Sequence, residues 1–352
     1  MYTILALVAI ALLIVLLFQI SKAGEYISDI KGEEDGVSRN DRFQASMFLF
    51  TLIFGMIGIV WSSFYYADKF LFLRPPMSAH SEGVNSMYIW TLISIVPVFF
   101  ITQILLFWFA FKYKRDDNRR ATFFPESNKL ELIWMLVPAV VMVLLVFEGM
   151  RNWLKITGPA PETAMIIEAT AQQFKWDIRY SGEDNQLGVK RVGWITEDNP
   201  YGINWEDGAS KDDFMANEIV LVKDVPVKVK INSLDVLHSF YLPHFNVKMD
   251  AVPGIPTQFW FTPVMSTEEA RLEFEDNEFG YELACAELCG KAHFNMRKEV
   301  RVVSQAEFDE WKAEQKTIYA QRVEAGLEKG TAEAESKEVP EEEEASSLSY
   351  NK

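Results

Sequence analysis

Residues 285–296 read Cys285-Ala286-Glu287-Leu288-Cys289-Gly290-Lys291-Ala292-His293-Phe294-Asn295-Met296. Two thiols, an imidazole and a thioether fall within this short stretch. Soft sulfur ligands combined with imidazole suit copper better than magnesium or calcium. A mononuclear electron-transfer copper uses two histidines, one cysteine and a weak axial methionine. Here a second cysteine is added, and His238 stands upstream as a second imidazole. Two bridging thiolates can hold two copper ions in a planar diamond, with one histidine on each ion. The spacing by itself is as open to a structural zinc site or, outside the cytoplasm, to a disulfide. Met296 favours copper, because zinc sites are built from cysteine, histidine and carboxylate.

Around that stretch the composition is uneven. The chain has 352 residues, 49% hydrophobic and 24% charged, with 26 Phe, 10 Trp and a net charge of −16. Nearly all long apolar runs precede residue 151, and most of the acid follows it. Membrane spans joined to a polar domain account for such a mixture. The 50 acidic against 34 basic residues exclude a nucleic-acid binder, which needs clustered cations. Two cysteines cannot make a disulfide-rich scaffold, and no C-x-x-C-H motif for attached haem occurs. Only His80, His238, His244 and His293 are available, so a histidine-rich cluster is excluded.

Four apolar stretches, residues 2–20, 45–66, 87–111 and 132–147, are read as membrane helices, for which about 20 residues suffice. Pro138 lies in the fourth, where neighbouring helices can support a kink. Lys22, Lys31, Arg39 and Arg42 follow the first span, and Lys112, Lys114, Arg115, Arg119, Arg120 and Lys129 follow the third. The excess of basic residues places 21–44 and 112–131 in the cytoplasm, with the N-terminus and everything after residue 150 outside. The first span lacks the basic n-region of a cleaved signal peptide and is expected to be retained.

After residue 164 the pattern changes. Residues 165–170, 173–180, 219–222, 227–232 and 258–262 are short runs rich in Val, Ile, Phe and Trp, separated by Gly, Pro, Asn and Asp. They predict a small all-β sandwich or barrel. Residues 181–217 are polar and turn-rich and are taken as an excursion from the sheet. Phe308, Trp311, Lys312, Gln315 and Tyr319 follow helical spacing, so 305–330 is expected to be a helix. Residues 331–352, with seven Glu against two Lys, read as a disordered acidic tail. Removing that −5 leaves −11, so acidity is not confined to the tail.

Cys285–Met296 resembles the dicopper (CuA) loop of cytochrome c oxidase subunit II, whose signature is C-x-E-x-C-x-x-x-H-x-x-M. The segments Asp235-Val236-Leu237-His238-Ser239-Phe240 and Val247-Lys248-Met249-Asp250-Ala251-Val252-Pro253-Gly254 are similar to the family's first-histidine region. Glu131-Leu132-Ile133-Trp134 with Pro138 resembles the start of its last membrane helix, and Gln173-Phe174-Lys175-Trp176 its aromatic strand. These motifs span roughly residues 78–312 in the family's order. The resemblance implies membrane helices followed by a cupredoxin-like Greek-key sandwich. Its divisions are an extra helix and cytoplasmic loop (1–44), a second extra helix and outer loop (45–86), a helical hairpin (87–150) and a CuA domain (160–304).

The resemblance also implies site residues. Cys285 and Cys289 would bridge two copper ions, His238 and His293 would be terminal imidazoles, and Met296 the weak axial ligand. Glu287 would offer its backbone carbonyl to one copper and its carboxylate to a magnesium ion shared with the catalytic subunit. Glu131 matches a carboxylate at the entrance of a proton channel; an interfacial charge favoured by the helix dipole is the simpler account of it. The family's electron-receiving tryptophan is replaced by Phe174, with Trp176 two positions on and so on the same strand face. The implied activity is that of an electron-transfer subunit in an aerobic terminal oxidase of the bacterial inner membrane. Electrons from cytochrome c or a haem c donor would pass to haem in subunit I, where oxygen is reduced with proton translocation. The family usually spans the membrane twice, so the first two spans are extra and are expected to meet other subunits or lipid. A quinol-oxidising relative without the metal would lack Cys285, Cys289 and His293, and a nitrous oxide reductase needs more histidines than this chain has.

Overall fold

A computed structural model describes residues 2–32, 35–116, 118–120 and 122–327. Its contacts divide the chain into two units, 1–74 with 86–149 and 75–85 with 150–352.

The first unit is helical. α1 (Tyr2–Lys31), α2 (Asp35–Tyr65), α3 (Ser81–Lys112) and α4 (Asn128–Thr157) each contain a stretch long and apolar enough to cross a membrane. Large apolar side chains such as Phe54, Ile101 and Leu144 are exposed, as befits helices that are hydrophobic all round and meet lipid. α1 continues eleven residues beyond its apolar run and α2 begins at Asp35, so the basic segment expected as a loop is largely helix. Pro97 and Pro138 lie inside α3 and α4, which run on through them.

The second unit is a sandwich of two five-stranded sheets. The strands are β1 (Met165–Gln172), β2 (Lys175–Tyr180), β3 (Phe214–Ala216), β4 (Ile219–Val222), β5 (Val227–Ser233), β6 (His238–Leu242), β7 (Val247–Ala251), β8 (Thr257–Phe261), β9 (Tyr281–Cys285) and β10 (Arg297–Val303). One sheet has the order β3-β2-β1-β5-β8 and the other β4-β10-β9-β6-β7. β1 runs parallel to β5, and β10 parallel to β4, while the remaining pairs are antiparallel. β5 shows the expected period of two, with Val227, Val229 and Ile231 buried and Lys228, Lys230 and Asn232 half-buried. Ile167, Trp176, Ile178, Phe240, Phe259, Phe261, Tyr281 and Leu283 belong to one buried apolar cluster between the sheets.

β1 departs from that alternation, because both its faces are covered. The outward side chains Glu168 and Thr170 lie under the excursion at 181–217, whose last part, β3, rejoins the sheet beside β2. Arg179 is the hub of this cover. It pairs with Glu168 at 2.8 Å and with Asp213 at 3.0 Å, and donates to the Gly188 carbonyl at 3.0 Å. Lys190 adds a 2.9 Å ion pair to Glu168. Two cations thus make three ion pairs with the buried carboxylates, which uncompensated would be costly.

Toward the C-terminus the single helix expected over 305–330 is broken. α6 (Gln305–Ala313) starts at a Ser304–Glu307 capping box, and α7 (Ile318–Glu324) starts at Thr317, whose side chain accepts from Ala320 N. The break brings Thr317 into a β-bridge with Phe214, and Ile318 N donates to the Asp213 carbonyl at 2.9 Å. Residues 328–330 and the acidic tail expected at 331–352 lie outside the described residues.

Asp213 is fully buried, and its Oδ1 has no partner among the described residues. Burial outweighs the Arg179 charge and pushes its carboxyl up to about 6. A raised carboxyl favours the folded state below the ordinary value and loses that advantage as pH climbs through the raised one. Asp213→Asn removes this titration. The stability of the natural protein relative to D213N is therefore expected to fall between about pH 4 and pH 6 and to level off above, as followed by urea unfolding at a series of pH values.

Candidate metal centre

The site lies where three parts of the sandwich converge. His238 opens β6, Cys285 ends β9, and residues 286–296 form the loop between β9 and β10. β6 and β9 pair with Phe240 opposite Cys285, and Ala286 N donates to the Ser239 carbonyl at 3.0 Å. The loop is closed at its base by Cys285 N donating to the Met296 carbonyl at 3.2 Å. A short 3-10 turn, His293–Asn295, then carries the chain into β10.

This scaffold gathers the sulfur and imidazole residues singled out in the sequence. The two cysteines are free thiols with Sγ atoms 3.8 Å apart. His238 Nδ1 is 3.8 Å from Cys285 Sγ, and His293 Nδ1 is 3.5 Å from Cys289 Sγ. Met296 Sδ lies 3.9 Å from Cys289 Sγ, and the Glu287 carbonyl oxygen 3.2 Å from Cys285 Sγ. Donor atoms of His238, Cys285 and Cys289 all fall within 4.8 Å of one another. The Glu287 side chain is exposed and stands apart from this group. Two thiols, two imidazoles, a thioether and a carbonyl exceed the four ligands of a closed zinc site and fit soft copper.

Burial, with Cys285 beside it, pushes the Cys289 thiol up to about 11. A bound cation reverses that balance, since a coordinating thiol is deprotonated outright. His238 is fully buried, with its Nε2 2.9 Å from Asp235 Oδ1, which leaves Nδ1 turned toward the sulfurs.

The aromatic pair divides. Trp176 is buried at 2% exposure, with its ring edge-on to His238 at 6.1 Å and to Phe240 at 5.5 Å. Phe174 is half-buried on the turn between β1 and β2, against Gly290. Glu131 belongs to the first turn of α4, remote in sequence from this loop, and is exposed with a long 3.5 Å contact from Ser127 N.

Gly290 is a site residue that the sequence reading passed over. It has φ +134°, and a Cβ there would come within 2.9 Å of Gln173 Nε2 and 3.1 Å of the Phe174 ring. Its signal was its position directly after the second cysteine, where backbone must approach closely. Asp235 and Gln173 also belong to the site, through contacts to His238 and the Cys289 carbonyl that their sequence motifs do not signal.

Membrane helices followed by a two-sheet domain define a membrane-anchored protein with a cupredoxin-like domain, whose sulfur-imidazole group at one loop could hold a metal ion. Residues 165–303 match the family described as cytochrome c oxidase subunit II, periplasmic domain, and 67–151 match its transmembrane domain. The alternative cytochrome c oxidase subunit 2 of Bradyrhizobium diazoefficiens is 34% identical over 225 residues, covering 62% of this chain and 76% of that one. Cytochrome c oxidase subunit 2 of Cereibacter sphaeroides is 31% identical over 251 residues, 68% of this chain and 78% of the relative. The solved periplasmic domain of cytochrome oxidase subunit II from Bradyrhizobium japonicum is 26% identical, covers 44% of this chain and 94% of its own, with a TM-score of 0.30. The chain belongs to the cytochrome c oxidase subunit II family. It is accordingly an electron-transfer subunit of a haem-copper oxidase complex, a membrane protein with a periplasmic domain. α1 and α2 precede both matched regions.

Gly290→Ala is expected to destabilise the domain by about 1–3 kcal/mol, the usual cost of a strained backbone position. Thermal unfolding of the metal-free chain checks this, and unchanged stability would show that the loop relaxes freely.

Proposed function

We propose that His238, Cys285, Cys289, His293, Met296 and the Glu287 carbonyl hold a dinuclear copper (CuA) centre. Electrons would arrive from a c-type cytochrome, free or as a haem c donor subunit, on their way to haem in subunit I. The observation that carries this is the 3.8 Å separation of the two sulfurs, with an imidazole nitrogen within 3.8 Å of each. Bound there, a copper pair supplies a one-electron relay of low reorganisation.

The chain's own residues do the rest. The sheet pairing of β6 with β9 fixes Cys285 against His238, so little backbone movement need accompany a change of charge. Trp176 and Phe240 close the pocket from the core side and exclude water. Phe174, half-exposed on Gly290, is the aromatic edge placed to meet a donor, whereas Trp176 has almost no surface to offer. The net charge of −16 attracts a basic donor and makes encounter salt-dependent. The exposed Glu287 carboxylate is free of the sulfur group, as a magnesium ligand at the subunit I interface needs to be. Glu131, exposed at the start of α4, would serve proton uptake from the cytoplasm. The membrane is taken as the bacterial inner membrane, with α1 and α2 facing further subunits or lipid.

Copper loading of the full chain in detergent tests the reading. Two coppers per chain sharing one unpaired electron in paramagnetic resonance are expected, with loss of that signal in Cys285→Ser or Cys289→Ser. One copper, bound zinc or an intact disulfide overturns it. In the assembled oxidase, Glu131→Gln is expected to slow turnover while leaving the copper signal unchanged, and unaltered turnover would remove Glu131 from the proton path.

A further inference from the structure

Behind the sulfur group lies a second set of contacts that joins its two halves. Asp235 has both carboxylate oxygens engaged. Oδ1 meets His238 Nε2 at 2.9 Å and accepts from Val236 N at 2.7 Å, while Oδ2 accepts from Gln173 N at 2.6 Å. Gln173 in turn donates from Nε2 to the Cys289 carbonyl at 2.6 Å. The link thus runs His238, Asp235, Gln173, Cys289, across segments far apart in sequence. It joins the loop before β6, the turn between β1 and β2, and the cysteine loop.

Each member has a stereochemical task. An imidazole can offer one ring nitrogen as a lone pair only if the other carries the proton, and an acceptor on that side selects the tautomer. Asp235 provides the acceptor for a ring that is itself fully buried. Its Gln173 contact fixes the carboxylate plane, so His238 is aimed by a group that is held from two further directions. At the other end, the Gln173 amide seats on the Cys289 carbonyl beside Gly290, where any Cβ would displace it. A residue at one cysteine is therefore mechanically tied to the histidine nearest the other.

We propose that Asp235 and Gln173 are positioning residues for the metal centre, Asp235 setting the orientation and donor strength of His238 and Gln173 locking Cys289 to the same frame. This rests on the copper reading above. Neither residue would touch the metal, so their effect is on affinity, spectrum and potential rather than on the number of ions held.

Asp235→Ala, Asp235→Asn and Gln173→Ala in the full-length chain, loaded with copper in detergent, test it. D235A is expected to keep two coppers but to bind them about 10–100-fold more weakly, the usual effect of losing such a partner. Its paramagnetic hyperfine pattern is expected to change and its reduction potential to rise, because an anion behind the imidazole is lost. D235N retains an acceptor for His238, so it is expected to restore the hyperfine pattern while the potential stays raised. Q173A is expected to release copper faster to a chelator, with the potential close to that of the natural chain. Thermal unfolding of the metal-free forms reports folding separately, and should D235A not fold, D235N and Q173A carry the comparison. Variants with the natural spectrum, potential and copper retention overturn the proposal. A natural chain that shows no shared-electron signal overturns the copper reading itself, and the inference with it.

Discussion

Two sulfur atoms held 3.8 Å apart at one end of a β-sandwich are the constraint on which the domain is organised. Left to themselves, neighbouring thiols in partly apolar surroundings resist ionisation, and Cys289 is pushed up accordingly. Nothing in a flexible loop would keep them so placed. The separation follows from anchoring one cysteine in the last pair of a β-ladder and the other by its carbonyl to a turn of the opposite sheet. Both sheets are needed, which is why the site demands a complete sandwich beneath a loop of a dozen residues.

The excursion between β2 and β3 shows a different solution to burial. Its inner surface buries charge as well as the aliphatic Ile203, with Arg179 shared between Glu168 and Asp213. Such a cluster is weak ground for stability, since hydrophobic replacements often match it, but its geometry admits few alternative seatings. α7 then lies against the excursion, with Arg322 over the Trp205 ring at 4.9 Å and donating to the Asp198 carbonyl at 3.2 Å. The segment beyond the sandwich thereby braces the segment that interrupts it.

Much of this was legible in the sequence, for identifiable reasons. The four apolar runs and the change of period after residue 164 announce helices and then strands because lipid and a two-sheet core impose different spacings. The cysteine loop was readable because its ligands sit within one short stretch and their types are chemically selective. β6, β7, β9 and β10 do not read as strands, nor does the short β3, which falls inside the polar excursion. β6 and β9 are bounded by the site's own ligands, and β7 carries the charged Lys248 and Asp250. β10 opens on the charged run Arg297-Lys298-Glu299, which looks polar in a short window. The break before α7 was missed because Thr317 acts through a long-range bridge to Phe214 that no local pattern reveals. Asp235 and Gln173 escaped notice as site residues because their contacts bridge 62 and 116 residues.

The parallel placement of β10 beside β4 has a consequence for biogenesis. Threading outward from its N-terminus, the polypeptide delivers His238 well before Cys285, and the strand that closes the cysteine loop emerges last of the ten. β1 likewise waits for β5 before its inner ladder exists. A half-exported chain therefore offers no finished pocket to a metal donor. On the copper reading, the ions would enter only once the whole sandwich has been exported, on the periplasmic side of the bilayer.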